Sequence, residues 1–97
     1  MATRNGYIEI KGRKDFAAPN TGNAAARRHE LGATVGKIQI IASAGQVYFE
    51  AGDSTVDATT ASIGVAPLGS AFVYEVQGTH ISVKTDADFD LIVLEVS

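Results

Sequence analysis

Residues Ser70–Val96 read SAFVYEVQGTHISVKTDADFDLIVLEV and carry the clearest structural pattern of this chain. Within Ser70–Gln77 every second side chain is large and apolar, and the same period of two returns in Thr79–Thr85. Such alternation is typical of strands that bury one face, and Gly78 supplies a tight turn between the two segments. From Val35 onward no segment has a convincing 3.6-residue apolar period, so the sequence predicts an all-β domain.

The last predicted strand, Phe89–Val96 (FDLIVLEV), is apolar on both of its faces. Leu91 and Val93 point to one face, and Ile92 and Leu94 point to the other. A strand of this kind is either central in a two-layer sandwich, with something over its outer face, or part of a subunit interface. We therefore predict an oligomer interface built from Phe72, Tyr74, Ile92 and Leu94.

Further strands are predicted upstream. Val35–Ser43 (VGKIQIIAS) and Gln46–Ala51 (QVYFEA) flank Ala44 and Gly45, and this pattern predicts a hairpin. Gly52–Gly69 is rich in Gly, Ser, Thr and Asp and predicts a long connection that carries one short strand. About five or six short strands with Gly-rich turns favour a small antiparallel β-sandwich or a jelly-roll-like barrel over residues 35–97.

Residues 1–34 are less regular and predict an extended N-terminal arm attached to the β domain. Tyr7–Lys11 favours a strand, and Asp15–Asn23 has the composition of a loop. Asn23–Leu31 (NAAARRHEL) predicts about two turns of helix with Asn23 as the N-cap. A helix this short is marginal alone, so the arm is expected to need a host surface.

The basic residues are concentrated in the same part of the chain. Residues 1–37 hold seven of the eight basic residues against three acids, a net charge of +4, whereas the remainder carries −7. Such asymmetry is typical of an arm that docks on an oppositely charged surface, or simply of a solvated basic segment. The first reading predicts that a partner is bound by Arg4, Lys11, Arg13, Lys14, Arg27 and Arg28.

Length and composition set further bounds. A chain of 97 residues has room for one small core, and partner subunits often cover what such a core leaves exposed. Cysteine is absent, which excludes a disulfide framework, a thiolate zinc site and a cysteine nucleophile. The first residues contain no apolar run of signal-peptide length, so we expect a soluble protein made in a cytoplasm, with no membrane partner.

The candidate catalytic residues do not form a recognisable motif. His29 and His80 are far apart in the sequence, and neither has a second nitrogen or sulfur ligand nearby. The nearest approach to a nucleophile motif, Gly52-Asp53-Ser54, lacks the second glycine of GxSxG. We therefore expect no enzymatic activity and no cofactor.

The segment TDADFD places Asp86, Asp88 and Asp90 at the spacing that opens an EF-hand loop. The pattern then fails, because Leu91 stands where the loop needs glycine and Ser97 stands where it needs glutamate. An acidic turn that keeps a hydrophobic strand soluble is the favoured reading, with a weak ion at a subunit junction as the alternative. The acidic composition of the β domain also disfavours direct nucleic-acid recognition.

The order of elements in Val47–Val96 resembles small structural proteins of tailed bacteriophages. The shared elements are a strand ending in a Gly-Asp turn, a Thr/Ala stretch, an aromatic strand, a Gly-Thr-His-Ile turn and a last strand after an acidic turn. The resemblance implies a capsid decoration, or cement, protein that is commonly trimeric and stabilises the phage head shell. It implies the major capsid protein or another virion protein as partner, and a place on the outer surface of a virion assembled in the host bacterial cytoplasm.

Two alternatives to the decoration role stay open. Another virion part, such as a head-tail connector, neck or fibre-adaptor component, would differ from a cement protein in the symmetry of its assembly. A carbohydrate-binding β-sandwich module would need exposed aromatic side chains. The chain has no tryptophan, and its three tyrosines are Tyr7, Tyr48 and Tyr74.

Overall fold

The computed structural model of the chain describes residues 9–22, 27–42, 44–62, 64–66 and 73–97. Within this part, no helix is long and apolar enough to cross a membrane. The structure consists of strands, which confirms the predicted all-β class. The strands are β1 Ile10–Phe16, β2 Arg28–Glu30, β3 Lys37–Ala42, β4 Val47–Gly52, β5 Gly64–Ala66, β6 Val73–Glu75, β7 His80–Thr85 and β8 Leu91–Val96.

The strands form two four-stranded antiparallel sheets, here called sheet A, in the order β1-β8-β3-β6, and sheet B, in the order β2-β7-β4-β5. Strands at equal distance from the two ends of the series are paired: β1 with β8, β2 with β7, β3 with β6 and β4 with β5. This order is a long hairpin rolled into two sheets, which is the jelly-roll arrangement. The predicted small antiparallel β-sandwich or jelly-roll-like barrel is therefore confirmed.

The connections between strands differ from the prediction. The hairpin predicted between Val35–Ser43 and Gln46–Ala51 is wrong, because β3 lies in sheet A and β4 lies in sheet B. Gly78 likewise joins strands of different sheets, since β6 belongs to sheet A and β7 to sheet B. Both sheets of a sandwich show the same alternation of apolar and polar residues, so periodicity does not tell which strands pair.

Two segments of the predicted arm belong to the sandwich itself. Ile10–Phe16 is the strand β1 and pairs with β8 at the edge of sheet A, and Arg28–Glu30 pairs with β7 at the edge of sheet B. The strand predicted at Tyr7–Lys11 is described only from Glu9, and residues 1–8 and 23–26 lie outside the described residues. The described residues before 35 are thus edge strands and their connections.

The helix predicted over Asn23–Leu31 is wrong at Arg28–Glu30, which is a strand. The described strand is held by side-chain contacts: Arg28 Nε donates to the carbonyl of Val56 at 2.6 Å, and His29 Nε2 lies 3.1 Å from Glu95 Oε2. A nine-residue helix is marginal in water, so tertiary contacts of this kind decide the local structure.

The interior between the sheets is mostly aliphatic, with the buried rings of Phe16, Phe49 and Phe89 among the aliphatic side chains. Burial of each such side chain stabilises the fold by roughly 1.5–3 kcal/mol relative to exposure. Alternate residues of the central strands supply this core. Its fully buried aliphatic side chains are Ile38, Ile40, Val47, Ile81, Val83, Leu91 and Val93.

The outer face of sheet B is covered by the chain's own connection between β4 and β5, residues 53–62. Ala58 N donates to Ser82 Oγ at 2.9 Å, and Ser62 Oγ donates to Glu50 Oε1 at 3.0 Å. Val56 and Ala58 of this connection are buried. The long connection is therefore an outer layer of the sandwich on one side.

The loop after β1 is fastened by one buried amide. Asn20 is 1% exposed, and its Nδ2 donates to the carbonyls of Phe16 at 3.2 Å and Phe89 at 2.8 Å. Its own carbonyl accepts from Thr85 N at 3.1 Å. The peptide bond between Ala18 and Pro19 in this loop is cis. Asn20 thus joins the end of β1 to the connection between β7 and β8, which lies about 70 residues further along the chain.

Asn20→Asp is expected to destabilise the protein by about 3 kcal/mol, more than Asn20→Ala at about 2 kcal/mol. The aspartate loses the donor and buries a charge against two carbonyl oxygens, whereas alanine only leaves them unpaired. Urea denaturation monitored by circular dichroism measures both losses. Burial raises the pKa of the new carboxyl group, so the penalty should shrink as the pH falls and the group protonates. Equal losses for both variants at neutral pH would contradict this account.

Candidate functional site

The outer face of sheet A is defined by the register of its four strands. Residues directly opposite one another share a face, and Ile38 and Ile40 point into the core, so their neighbours on β3 point outward. The outer face accordingly consists of Ile10, Arg13 and Asp15 of β1, Ile92, Leu94 and Val96 of β8, Lys37, Gln39 and Ile41 of β3, and Val73 and Glu75 of β6.

Two large apolar side chains of this outer face are exposed to solvent. Ile10 is 61% exposed and Ile41 is 43% exposed, and they lie on opposite sides of the central strand β8. Ile92, the direct partner of Ile41 in the sheet, is half-buried. Exposed apolar side chains that share one face are typical of an interaction surface.

The residues predicted as an oligomer interface fall in different places. Ile92 and Leu94 lie on the outer face of sheet A, where Leu94 is 8% exposed. Tyr74 instead faces the core and packs edge-on against Phe49, with ring centroids 4.9 Å apart. Phe72 lies outside the described residues.

Sequence reasoning missed the two most exposed members of this surface. Ile41 follows the buried Ile40, and two adjacent isoleucines in a half-buried strand already imply that one of them faces outward. Ile10 lies within the predicted strand Tyr7–Lys11, but its face could not be assigned before its partner β8 was known. The signal was therefore present for Ile41 and absent for Ile10.

Lys11, Arg13 and Lys14 all lie on strand β1 at the edge of sheet A. All three side chains are exposed. Arg13 Nε lies 2.6 Å from Asp15 Oδ1, and this hydrogen bond lowers the pKa of Asp15 below its ordinary value. Lys14 Nζ lies 5.6 Å from the centre of the Phe16 ring. The edge strand thus presents two exposed lysines beside an exposed ion pair.

The other predicted basic residues are engaged within the chain, except Arg4, which lies outside the described residues. Arg28 donates to the carbonyls of Val56 at 2.6 Å and Thr55 at 3.1 Å, and it also pairs with Asp57. Arg27 donates to the carbonyl of Pro19. Arg28 therefore clamps the 53–62 connection onto sheet B.

A buried carboxylate joins the two sheets at one end of the sandwich. Glu95 of β8 is 7% exposed, and its Oε2 lies 3.1 Å from Nε2 of His29 on β2. Its other oxygen accepts from Gly32 N at 2.6 Å. Gly12, its partner on β1, leaves room for this carboxylate, because a Cβ there would lie 2.5 Å from Glu95 Oε2. We call this group of contacts the Glu95 junction. It gives His29 a structural partner within the chain.

The three aspartates of TDADFD do not converge on a common point. Asp88 Oδ1 accepts from Thr21 Oγ1 at 3.2 Å, and Asp90 Oδ1 accepts from Ala18 N at 2.8 Å. Asp86 is exposed. Among the described residues, no group of three His, Asp or Glu side chains is arranged to hold a metal ion. Asp88 and Asp90 instead fasten the loop after β1.

The turn Gly52-Asp53-Ser54 and the second histidine also have local partners. Asp53 Oδ1 accepts from Thr55 N at 2.8 Å and from Thr55 Oγ1 at 2.6 Å, and these hydrogen bonds lower the pKa of Asp53. His80 Nδ1 lies 2.8 Å from Thr79 Oγ1. The aspartate therefore stabilises its own turn.

A groove between β5 and β6 is lined by Tyr74, Phe49, Glu50, Glu75 and Gln77, among others. Aromatic and carboxylate side chains together are typical of carbohydrate sites. However, Phe49 is 6% exposed, and Gly64 lies directly against its ring, where a Cβ would be 2.7 Å from Cε2. The Phe49 ring is thus occupied by the protein and is not open for stacking on a sugar.

No protein-family model, curated protein or solved structure matches the chain. The functional argument therefore depends on two surfaces of the chain itself, the basic edge strand β1 and the apolar outer face of sheet A.

Proposed function

We propose that this chain is a non-enzymatic virion structural protein of the decoration type, which binds the head shell of a bacteriophage from outside. The observation that carries the proposal is the strand β1, seven residues long, exposed over most of its length and placed at the edge of sheet A. An edge strand offers backbone donors and acceptors to another protein, and its side chains select the partner.

The charge of β1 indicates the kind of surface it meets. Arg13 is held by Asp15, so Lys11 and Lys14 are the cations that a partner can engage at lowest cost. Two exposed lysines favour an acidic patch on the partner, and such contacts raise the association rate and weaken with salt. The major capsid protein of the same virus is the proposed partner.

The fold is compatible with this role but does not select it. Jelly rolls occur in viral capsid proteins and also in lectins and cupins. A fold therefore supports a function only together with a site. Here the surface features are exposed cations and exposed isoleucines, which suit the binding of another protein.

Removing the two lysines is expected to weaken shell binding. Lys11→Ala/Lys14→Ala should bind empty shells, assembled from the major capsid protein encoded in the same genome, about ten-fold more weakly than the unchanged chain. Co-sedimentation at several protein concentrations measures the dissociation constant. The difference should shrink as salt is raised from about 0.05 to 0.5 M, because screening weakens the same contacts in the unchanged chain.

A control with the same change in net charge separates local from overall electrostatics. Ser54→Glu/Thr60→Glu also lowers the charge by two, but both residues are exposed in the connection that covers sheet B. It should bind shells like the unchanged chain. Loss of binding in both variants would show that net charge, and not the lysines of β1, controls shell binding. Failure of the unchanged chain to bind shells would refute the decoration assignment.

Two other roles give different results in the same assay. A head-tail connector, neck or fibre-adaptor component would bind the isolated vertex or tail assembly and leave closed shells unbound. A carbohydrate-binding module would bind glycans through the groove at Tyr74, and Tyr74→Ala would abolish that binding. The decoration role predicts no glycan binding and saturable binding to the shell.

A further inference from the structure

The free edge of β6 carries peptide groups that point out of sheet A. In an antiparallel sheet, successive residues direct their N–H and C=O groups alternately to one neighbouring strand and to the other. Val76 N donates to Gly36 O at 2.9 Å, which assigns the peptide groups of Val76 to the β3 side. Val73 and Glu75 lie an odd number of residues from Val76, so their peptide groups point to the free edge of β6.

The same alternation identifies the open positions of β1, the opposite edge of sheet A. Ser97 N donates to the carbonyl of Glu9 at 3.0 Å, so the odd-numbered residues of β8 direct their peptide groups to β1. Arg13 and Asp15 are level with even-numbered residues of β8. Their N–H and C=O groups therefore point away from β8, to the free edge of β1.

We propose that β1 of one copy adds to β6 of a second copy and extends sheet A across the contact. Every neighbouring pair of strands in sheet A is antiparallel, so its two edge strands run in opposite directions. A second copy placed beside the first in the same orientation therefore offers β1 to β6 as an antiparallel strand. Because the two joined edges are different, the contact is heterologous and can repeat from copy to copy.

Opposite charges fix the register of this pairing. When Arg13 of one copy lies opposite Glu75 of the other, Asp15 lies opposite Val73, and both pairs of open positions are hydrogen-bonded. On the outer face, Glu75 then lies between Lys37 of its own chain and the incoming Arg13. A shift of two residues in one direction sets Asp15 against Glu75, which is unfavourable. The opposite shift sets Glu75 against the irregular start of β1.

A groove beside β6 offers space for an inner side chain of the added strand. It has a volume of about 670 Å³, and Glu50 and Tyr74 are among its lining residues. Lys14 is level with the buried Val93 and therefore belongs to the inner face of β1. In the favoured register Lys14 lies opposite Tyr74, so its ammonium group enters the groove that contains the Glu50 carboxylate. This second pair of opposite charges lies on the other face of the same contact.

The charges of the two edges also disfavour the other edge-to-edge contacts. Charged side chains on edge strands usually prevent one sheet from pairing with another. Here Lys11, Arg13 and Lys14 outnumber Asp15 on β1, whereas the charged residue of β6 is Glu75. Pairing of β1 with β1, or of β6 with β6, brings like charges together. Pairing of β1 with β6 brings opposite charges together and is therefore the favoured combination.

Sedimentation equilibrium of the full chain tests the proposal. Between about 10 µM and 1 mM, the mean mass should rise from the 10.1 kDa of one chain past twice that value. Asp15→Pro and Val73→Pro each remove an open N–H from one edge, a position where a strand tolerates proline. Each variant should keep the mass of one chain. The matched variants Asp15→Ala and Val73→Ala keep the N–H and should associate like the unchanged chain, and circular dichroism should show all four folded.

A mixture of the two proline variants tests that the two edges are different. Asp15→Pro keeps an open β6 and Val73→Pro keeps an open β1, so the equimolar mixture should reach the mass of two chains and stop there. Charge exchange gives the same test without proline. Arg13→Glu and Glu75→Arg should each weaken association at least five-fold alone, and their mixture should restore it, because opposite charges again meet at each contact.

Four results would overturn the pairing of β1 with β6. They are a constant mass of one chain, an unchanged chain that stops at two copies, association of either proline variant alone, and a proline mixture that stays at one chain. The inference goes beyond the proposed function and fails separately from it. Val73→Pro leaves β1 open and should still bind shells. Shell binding without self-association removes this inference alone, and self-association without shell binding removes the proposed function.

Discussion

Gly78→Ala is expected to destabilise the protein by about 3 kcal/mol or more. Gly78 has φ of 133°, a conformation that residues with a side chain rarely adopt. A Cβ here would also lie 2.5 Å from Gly52 O and 2.8 Å from Gly52 N. These are backbone atoms of β4, which is held in register by its pairing with β7, so they cannot move aside cheaply. A domain of this size has roughly 5–15 kcal/mol of stability, so the loss is large.

Gly36→Ala is the matched control for this substitution. A Cβ at Gly36 would meet nothing within 4 Å, and no positive φ is found there. The same change should therefore be neutral or stabilise by up to about 1 kcal/mol through the unfolded chain. Urea denaturation at pH 7 gives both free energies of unfolding. A loss below 1 kcal/mol for Gly78→Ala would show that this turn adjusts to a side chain at little cost. Glycine would then not be required for the connection from β6 in sheet A to β7 in sheet B.

The alternation of apolar residues predicted the fold class and the place of the last strand. Phe89–Val96 is apolar on both faces, and its strand β8 is central, between β1 and β3 in sheet A. Leu91 and Val93 on its inner face meet the core, and Leu94 and Val96 on its outer face are also buried, at 8% and 1% exposed, so both faces of this strand need apolar residues. That requirement is local, so it could be read directly from consecutive residues.

Strand pairing could not be read in the same way. In a jelly roll β1 pairs with β8, and this contact joins Ile10 to Val96 across almost the whole chain. The edge strand β1 has a mostly exposed pattern, because one face and one edge meet solvent, and its charged residues therefore resemble an arm. Only the partner strand shows that Ile10–Phe16 is part of a sheet.

The Glu95 junction was missed although the sequence contained a signal for it. Leu91 and Val93 face the core, and the period of two places Glu95 on the same inner face. A charged residue at an inward position must be paired. The partner could not be named, because His29 lies on a segment that was predicted to be a helix.

The Glu95 junction predicts that Gly12→Ala has opposite effects on the free energy of unfolding in two backgrounds, the unchanged chain and the Glu95→Ala variant. Gly12→Ala in the unchanged chain should destabilise by about 1–3 kcal/mol, because the new Cβ displaces the Glu95 carboxylate from His29 and Gly32. Glu95→Ala alone should cost about 2–4 kcal/mol, since it leaves both donors without their acceptor. The remaining atoms that crowd position 12 also belong to Glu95, and the distance to its Cβ is an ordinary 3.6 Å.

In the Glu95→Ala background, Gly12→Ala should therefore stabilise the protein by about 0.5–1 kcal/mol, because alanine is preferred to glycine inside a strand. The cycle should give a coupling of at least about 2 kcal/mol, measured by urea denaturation of all four proteins. Additive effects would mean that Gly12 is required for a reason other than the carboxylate. A negative coupling would mean that Glu95 does not lie against β1. A coupling of the expected size would show that Gly12 on the edge strand β1 is required because it leaves room for the Glu95 carboxylate of β8. That carboxylate holds the two sheets together at this end of the sandwich.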